Sequence, residues 1–214
     1  LQGRLGARVV SVKGGVPGFD SGKSLIQLRG LLPSTKPDWV IVGNLWSDCY
    51  APEKSKMQAA TTTNKMLSST STYRLLRRLL SPLLASRRVG WFASKEEMRE
   101  ARIKNARVKP DQYFLNLRTI AEAAQQAGAR TIFLLLPAPI DLTSDGAPEI
   151  VVEYRTIMRR AAQETGSLLI DGPALLAPNK VQLHQFIDAV HPGPDVHQLL
   201  GTAVSRTIAR TLLK

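Results

Sequence analysis

Asp188 and His191 stand three residues apart in the stretch Asp188-Ala189-Val190-His191-Pro192. In a tight turn, residues at that spacing project to one side, so the carboxylate can accept a hydrogen bond from one imidazole nitrogen. That contact fixes the tautomer and leaves the other nitrogen free to take a proton from a nucleophile. The same pair also fits a surface Asp and a His capping the helix that follows. His184, between Leu183 and Phe186, reads as a surface residue, and His197 as a packing or capping residue of the last helix. Two other stretches have suitable residue types. Gly15-Val16-Pro17-Gly18 can aim a backbone N–H into a site, as an oxyanion donor must, although most Gly-Pro clusters are plain turns. Residues 43–48 (GNLWSD) put Asn44, Ser47 and Asp48 at the end of a buried-type strand, where polar groups serve a site or form turn hydrogen bonds. The three His and one Cys have no ligand-like spacing, so no metal site and no cofactor are expected.

The elements that must position these residues follow from apolar patterning. Residues 7–12 are a Val-rich run closed by a Gly-Pro turn, and residues 39–43 and 131–136 are further apolar runs of strand length. Residues 168–170 form a fourth, ending on Asp171-Gly172-Pro173. Between them lie helical patterns: Leu25, Leu28, Leu31 and Leu32, capped by Ser21 or Ser24 and stopped by Pro33; then Phe114, Leu117, Ile120, Ala121, Ala124 and Ala127. Another spans residues 149–164, with Val151, Tyr154, Met158 and Ala161 inward. The last runs from Pro194 on Leu199, Leu200, Ala203, Val204, Ile208 and Leu212. Short, fully apolar strands alternating with helices predict an α/β fold with a parallel sheet covered on both faces. In such a sheet, chemistry lies beyond the C-terminal ends of the strands. The residues singled out above all follow expected strands.

The chain has 214 residues, 43% of them apolar, which suits a single domain with one insertion. Its net charge of +12 is concentrated: residues 54–109 hold 14 Lys and Arg against three Glu, a net of +11. The expected organisation is therefore one domain over residues 1–214 carrying a basic helical insertion at about 54–109. Within it Tyr73, Leu76, Leu80 and Leu83 recur at helical spacing opposite Arg74, Arg77 and Arg78, and Ser94 with Glu97 fits a capping box. No stretch is long and apolar enough for a membrane-spanning helix.

Taken in order, these pieces resemble the SGNH (GDSL-like) hydrolase superfamily. Residues 9–21 (VVSVKGGVPGFDS) are similar to its glycine block, residues 38–48 (DWVIVGNLWSD) to its Gly-x-Asn-Asp block, and residues 188–192 (DAVHP) to its C-terminal Asp-x-x-His. The resemblance implies a three-layer α/β/α, flavodoxin-like fold and a serine esterase acting on acyl or O-acetyl groups of a small-molecule or glycan substrate. It makes His191 the general base, Asp188 its orienting partner and Gly18 an oxyanion donor. Family analogy also favours the cell envelope or secretion. Two departures matter. Ser47 stands where the family has Asn, and a hydroxyl donates less rigidly than an amide; Asn44 is the alternative donor. No Gly-Asp-Ser precedes the glycine block, so the first strand and its nucleophilic serine are expected upstream of residue 1, with Ser21 and Ser24 as helix caps.

Two other readings compete: a non-catalytic binding domain of the same fold, and a basic insertion that docks on an anionic surface through Leu75, Leu76, Leu79, Leu80, Leu83 and Leu84. Nucleic acid is disfavoured because the insertion has only Tyr73, Trp91 and Phe92 to stack bases. The preferred reading of the insertion is a lid. A lid predicts no binding to anionic vesicles in co-sedimentation, and binding that weakens with added salt would instead establish docking.

Overall fold

A computed structural model of the chain describes residues 9–50 and 105–213. The chain divides into two units, residues 1–50 with 106–214 and residues 51–105, and the described elements all belong to the first. The helix and capping box expected within the basic insertion lie outside the described residues, as do residues 7 and 8.

Three parallel strands, β1 (Trp39–Val42), β2 (Arg130–Leu135) and β3 (Leu168–Asp171), form a sheet in the order β1-β2-β3. Ile41 lies opposite Ile132, and Phe133 opposite Leu169. The central strand is apolar from Ile132 to Leu135 because both its faces are covered there. Phe133 and Leu135 pack into a core built with helices α3 (Pro110–Gln126) and α4 (Glu149–Thr165), through Tyr113, Leu117, Ile120, Val151, Tyr154 and Met158. Ile132 turns the other way, joining Ile170 with Val204 and Ile208 of α5 (Pro194–Leu212). The sequence therefore folds as the expected three-layer α/β/α arrangement. Among the described residues no helix is long and apolar enough to cross a membrane.

Two buried tyrosines tie the loops to this core. Tyr113 and Tyr154 pack ring to ring, 4.9 Å between centroids, and their hydroxyls donate to the carbonyls of Asn44 and Val108 respectively. Each phenol thus fills the core with its ring while its O–H satisfies a loop carbonyl.

Three local expectations need correction. Helix α1 (Ser21–Thr35) is capped by Asp20, whose side chain accepts the Lys23 N–H at 3.0 Å, and not by Ser21 or Ser24. Ser21 is instead the first helical residue and is turned into the core. Pro33 does not stop α1, which continues to Thr35 and ends where Lys36 takes a left-handed conformation (φ 40°). Near a C-terminus the ring lies within the last turn, and the helix closes through the Lys36 N–H to the Leu32 carbonyl at 3.0 Å. Residues 9–12 form no strand, and Val10 is 73% exposed. Among the described strands β1 pairs only with β2, so its other edge, beside the half-exposed Ile41, is unpaired. An apolar run becomes a strand only where a partner edge satisfies its backbone.

Where β3 ends, Gly172 lies against β2: its N–H donates to the Leu135 carbonyl, and a Cβ there would sit 2.3 Å from that oxygen and 2.9 Å from Pro137 Cδ. Gly172→Ala is expected to destabilise the fold by about 1–3 kcal/mol, the usual range for forced overpacking. Urea denaturation checks this, and an unchanged midpoint would contradict the close approach.

Candidate active site

The loop from β3 to α5 presents Asp188 and His191. Leu176, Val181 and Phe186 anchor it on Val196 and Leu200 of α5. Phe186 then bridges antiparallel to Pro192, the Ile187 N–H donates to the His191 carbonyl at 2.9 Å, and the Gly193 N–H to the Gln185 carbonyl at 2.8 Å. This small hairpin leaves Asp188 to Val190 as a tight reversal. Asp188 Oδ1 accepts the N–H groups of Val190 and His191, both at 2.9 Å. The carboxylate also meets His191 Nδ1, 2.7 Å from Oδ2 and 2.9 Å from Oδ1.

The backbone N–H of Val190, the His191 side chain and the His191 N–H together hold the Asp188 carboxyl down at about 2. An ionised carboxylate is an acceptor only, so it favours the tautomer of the neutral imidazole in which Nδ1 carries the proton and Nε2 the lone pair. The imidazole side chain is 68% exposed, so Nε2 is open to a reactant. His184 and His197 are both exposed and contribute nothing to this pair.

On the β1 side, in the turn before α1, Gly18 has φ 77°, the left-handed region that favours glycine. Its carbonyl accepts from Arg107 Nη1 at 2.7 Å, while its N–H has no partner among the described residues. Asn44 and Ser47 follow β1, Ser47 at the start of the one-turn helix α2 (Trp46–Cys49). Asn44 Nδ2 is committed to Ser24 Oγ at 3.0 Å. The Ser47 hydroxyl makes no hydrogen bond to the described residues, which leaves it the freer donor of the two.

The structure thus brings Asp188 to His191, and ties the Gly18 turn to the Asn44–Ser47 turn through α1. No hydrogen bond among the described residues joins these two groups. Both lie beyond the C-terminal ends of strands, where loops from a rigid sheet can converge on a reactant. A proton acceptor in one group, and N–H and O–H donors without a partner among the described residues in the other, are the components of general-base catalysis with anion stabilisation.

Patterning alone did not find two buried polar centres that support these turns. Asp48 is fully buried and accepts the Ser21 N–H at 2.8 Å; Asn116 of α3 donates to Ser21 Oγ at 2.9 Å. Arg155 of α4 pairs with Asp141 at 2.6 Å, both almost completely buried, and also donates to the Leu136 carbonyl. Asp141 in turn accepts the Ala138 N–H, fixing the loop after β2. A polar residue inside an apolar helical stripe, as Asn116 and Arg155 both are, is the signal that marks such centres. Cys49, beside Asp48, has its thiol pushed far up by burial and is inert.

No protein-family model matches the sequence, and no curated protein matches it. Solved structures do share its fold. A candidate acylhydrolase from Bacteroides fragilis superposes with a TM-score of 0.56 at 15% identity, over 92% of this chain and 74% of its own. A GDSL-like lipase from Bacteroides thetaiotaomicron gives 0.53 at 14% identity, over 92% and 74%. A mutant of an acetyl-xylooligosaccharide esterase from a Geobacillus species gives 0.52 at 16% identity, over 88% and 67%.

The two acidic groups predict opposite pH effects. Burial pushes Asp48 up to about 6, with Ser21 hydrogen bonds and Arg107 opposing it and Asp20 adding to it. A folded-state value above the unfolded one stabilises below about pH 4, and that stabilisation is lost as pH rises through 6. The difference between acid and pH 8 is about 3 kcal/mol, and Asp48→Asn is expected to remove it. Denaturation midpoints across pH 4–8 check this; identical profiles for wild type and variant would contradict it. Asp188 acts in reverse, its contribution present above about pH 4 and lost as pH falls through about 2.

Proposed function

We propose that the protein containing this chain is a serine ester hydrolase acting on acyl or O-acetyl groups of a small molecule or glycan. The observation that carries this reading is the Asp188–His191 pair, with Nδ1 engaged by an ionised carboxylate and Nε2 exposed. The names of the similar folds, an acylhydrolase, a GDSL-like lipase and an acetyl-xylooligosaccharide esterase, support ester chemistry. Function also depends on site chemistry, because one fold hosts many activities.

In this reading His191 Nε2 takes the proton of a serine hydroxyl as the serine oxygen bonds to the acyl carbon. The Gly18 N–H and the Ser47 hydroxyl, with Asn44 as alternative donor, stabilise the oxyanion. Collapse of the tetrahedral intermediate breaks the ester C–O bond, and the alcohol leaves with the proton from His191. Water, deprotonated by the same imidazole, then releases the acid and restores the serine.

The serine is assigned to a segment preceding the glycine turn. Ser21 is fully buried and the Ser24 hydroxyl is held by Asn44, so neither is suited to attack. The unpaired edge of β1 and the unpaired residues 9–12 are consistent with a further parallel strand from that segment. The basic insertion is assigned to a lid, with anionic-surface docking as its alternative.

For the protein extended to its natural N-terminus, His191→Ala is expected to lower kcat/KM on an aryl acetate by roughly 10²–10⁴-fold. The 214-residue chain alone is expected to be inactive. His191-dependent hydrolysis by that chain would overturn the upstream assignment. An extended protein inactive on esters would favour a non-catalytic binding domain.

A further inference from the structure

The Asp48 carboxylate takes no part in the steps above, yet it occupies the junction between the two donor turns. Its Oδ1 accepts the Ser21 N–H at 2.8 Å, and Oδ2, also buried, has no hydrogen-bond partner. Ser21 is held from its other side by Asn116, whose Oδ1 in turn accepts Gln112 Nε2 at 2.8 Å. Asp48 directly follows Ser47, and Ser21 is three residues after Gly18. The backbone of Asp48 is itself fixed, its carbonyl accepting the Val108 N–H at 3.2 Å. Arg107, one residue before Val108, grips the Gly18 carbonyl and lies 3.8 Å from Asp20. The shortest connection from Gly18 to Ser47 therefore runs through the Ser21–Asp48 hydrogen bond, with the Arg107–Val108 contacts and the Asn44–Ser24 bond bracing the same two turns alongside it.

An ionised acceptor suits that link better than a neutral one. Ser21 is the first residue of α1, where the unsatisfied N–H groups carry the positive end of the helix dipole. A carboxylate hydrogen bond there is shorter and stronger than an amide one. A group that only filled space would be better apolar, since burying a charge is costly.

We propose that Asp48 is a positioning residue: on the ester-hydrolase reading above, its carboxylate holds the Ser21 N–H so that the Gly18 N–H and the Ser47 hydroxyl face one oxyanion. Protonation weakens the link, so the donor pair loosens in mild acid. The charged groups facing Asp48 are Asp20 of the α1 cap and Arg107 ahead of α3; Cys49, Tyr113 and Tyr154 complete its surroundings as neutral groups.

The test uses the protein extended to its natural N-terminus, with an aryl acetate as substrate and His191→Ala as control. Asp48→Asn is expected to lower kcat roughly 10–10²-fold with KM little changed, less than the 10²–10³ of losing an oxyanion donor outright. It is also expected to remove the Asp48 contribution to the acid-side loss of kcat, centred near pH 6, and to leave the part due to protonation of the general base. If His191→Ala retains activity, the ester-hydrolase reading itself fails. If His191→Ala is inactive while Asp48→Asn keeps the wild-type kcat and acid limb, the positioning role is overturned. Amide NMR of the wild-type protein needs no variant: the Gly18 and Ser21 resonances are expected to titrate together. A Gly18 resonance that stays still while Ser21 titrates would overturn the proposal even if Asp48→Asn does not fold.

Discussion

Helix α1 begins inside the protein, and a helix that begins inside must find acceptors for its first N–H groups there. Asp20 supplies one at the surface of the turn, and Asp48, from beyond β1, supplies the buried one. This buried hydrogen bond, with the Asn44–Ser24 bond and the Arg107–Val108 contacts beside it, joins the glycine turn to the turn after β1. Asn116 and Tyr113 then fasten these turns to α3, which packs with α4 on one face of the sheet. The burial that drives the core together is non-directional. The alignment of the turns comes from these few directional contacts.

The loop after β3 is organised on another principle. The loop carrying Asp188 and His191 is anchored by apolar side chains at its base and by backbone bonds across its neck, but its tip is exposed. Its carboxylate is held ionised by local N–H groups, whereas Asp48 is pressed towards neutrality by burial. One acid is thus ionised in open water and the other carries its charge against the cost of burial. The differing environments shift two acids of the same type in opposite directions.

The strands and helix faces were legible in the sequence because burial leaves a periodic record. Val151, Tyr154, Met158 and Ala161 are all buried as their spacing predicts, and β2 and β3 fall where the apolar runs do. The Asp188–His191 contact was legible because it is local. Errors arose where the deciding partner is distant in sequence. In α3 the expected face begins at Phe114, but Tyr113 and Asn116 are the residues turned inward; Phe114 is half-buried beneath Arg160, 4.3 Å from its guanidinium. Likewise, nothing near Asp48 announces Ser21, and nothing near Arg155 announces Asp141. The run at residues 9–12 shows what those side chains prefer, not whether a neighbouring edge is available to them.

The edge of β1 that is unpaired among the described strands has a consequence for how copies of the chain behave in solution. Among the described residues that edge, with the half-exposed Ile41 on it, is a template for strand addition from another molecule. The net charge of +12 acts against this by mutual repulsion. Added salt screens the repulsion but leaves backbone pairing intact. Where the edge is left bare, the colloidal stability of the chain therefore falls as ionic strength rises.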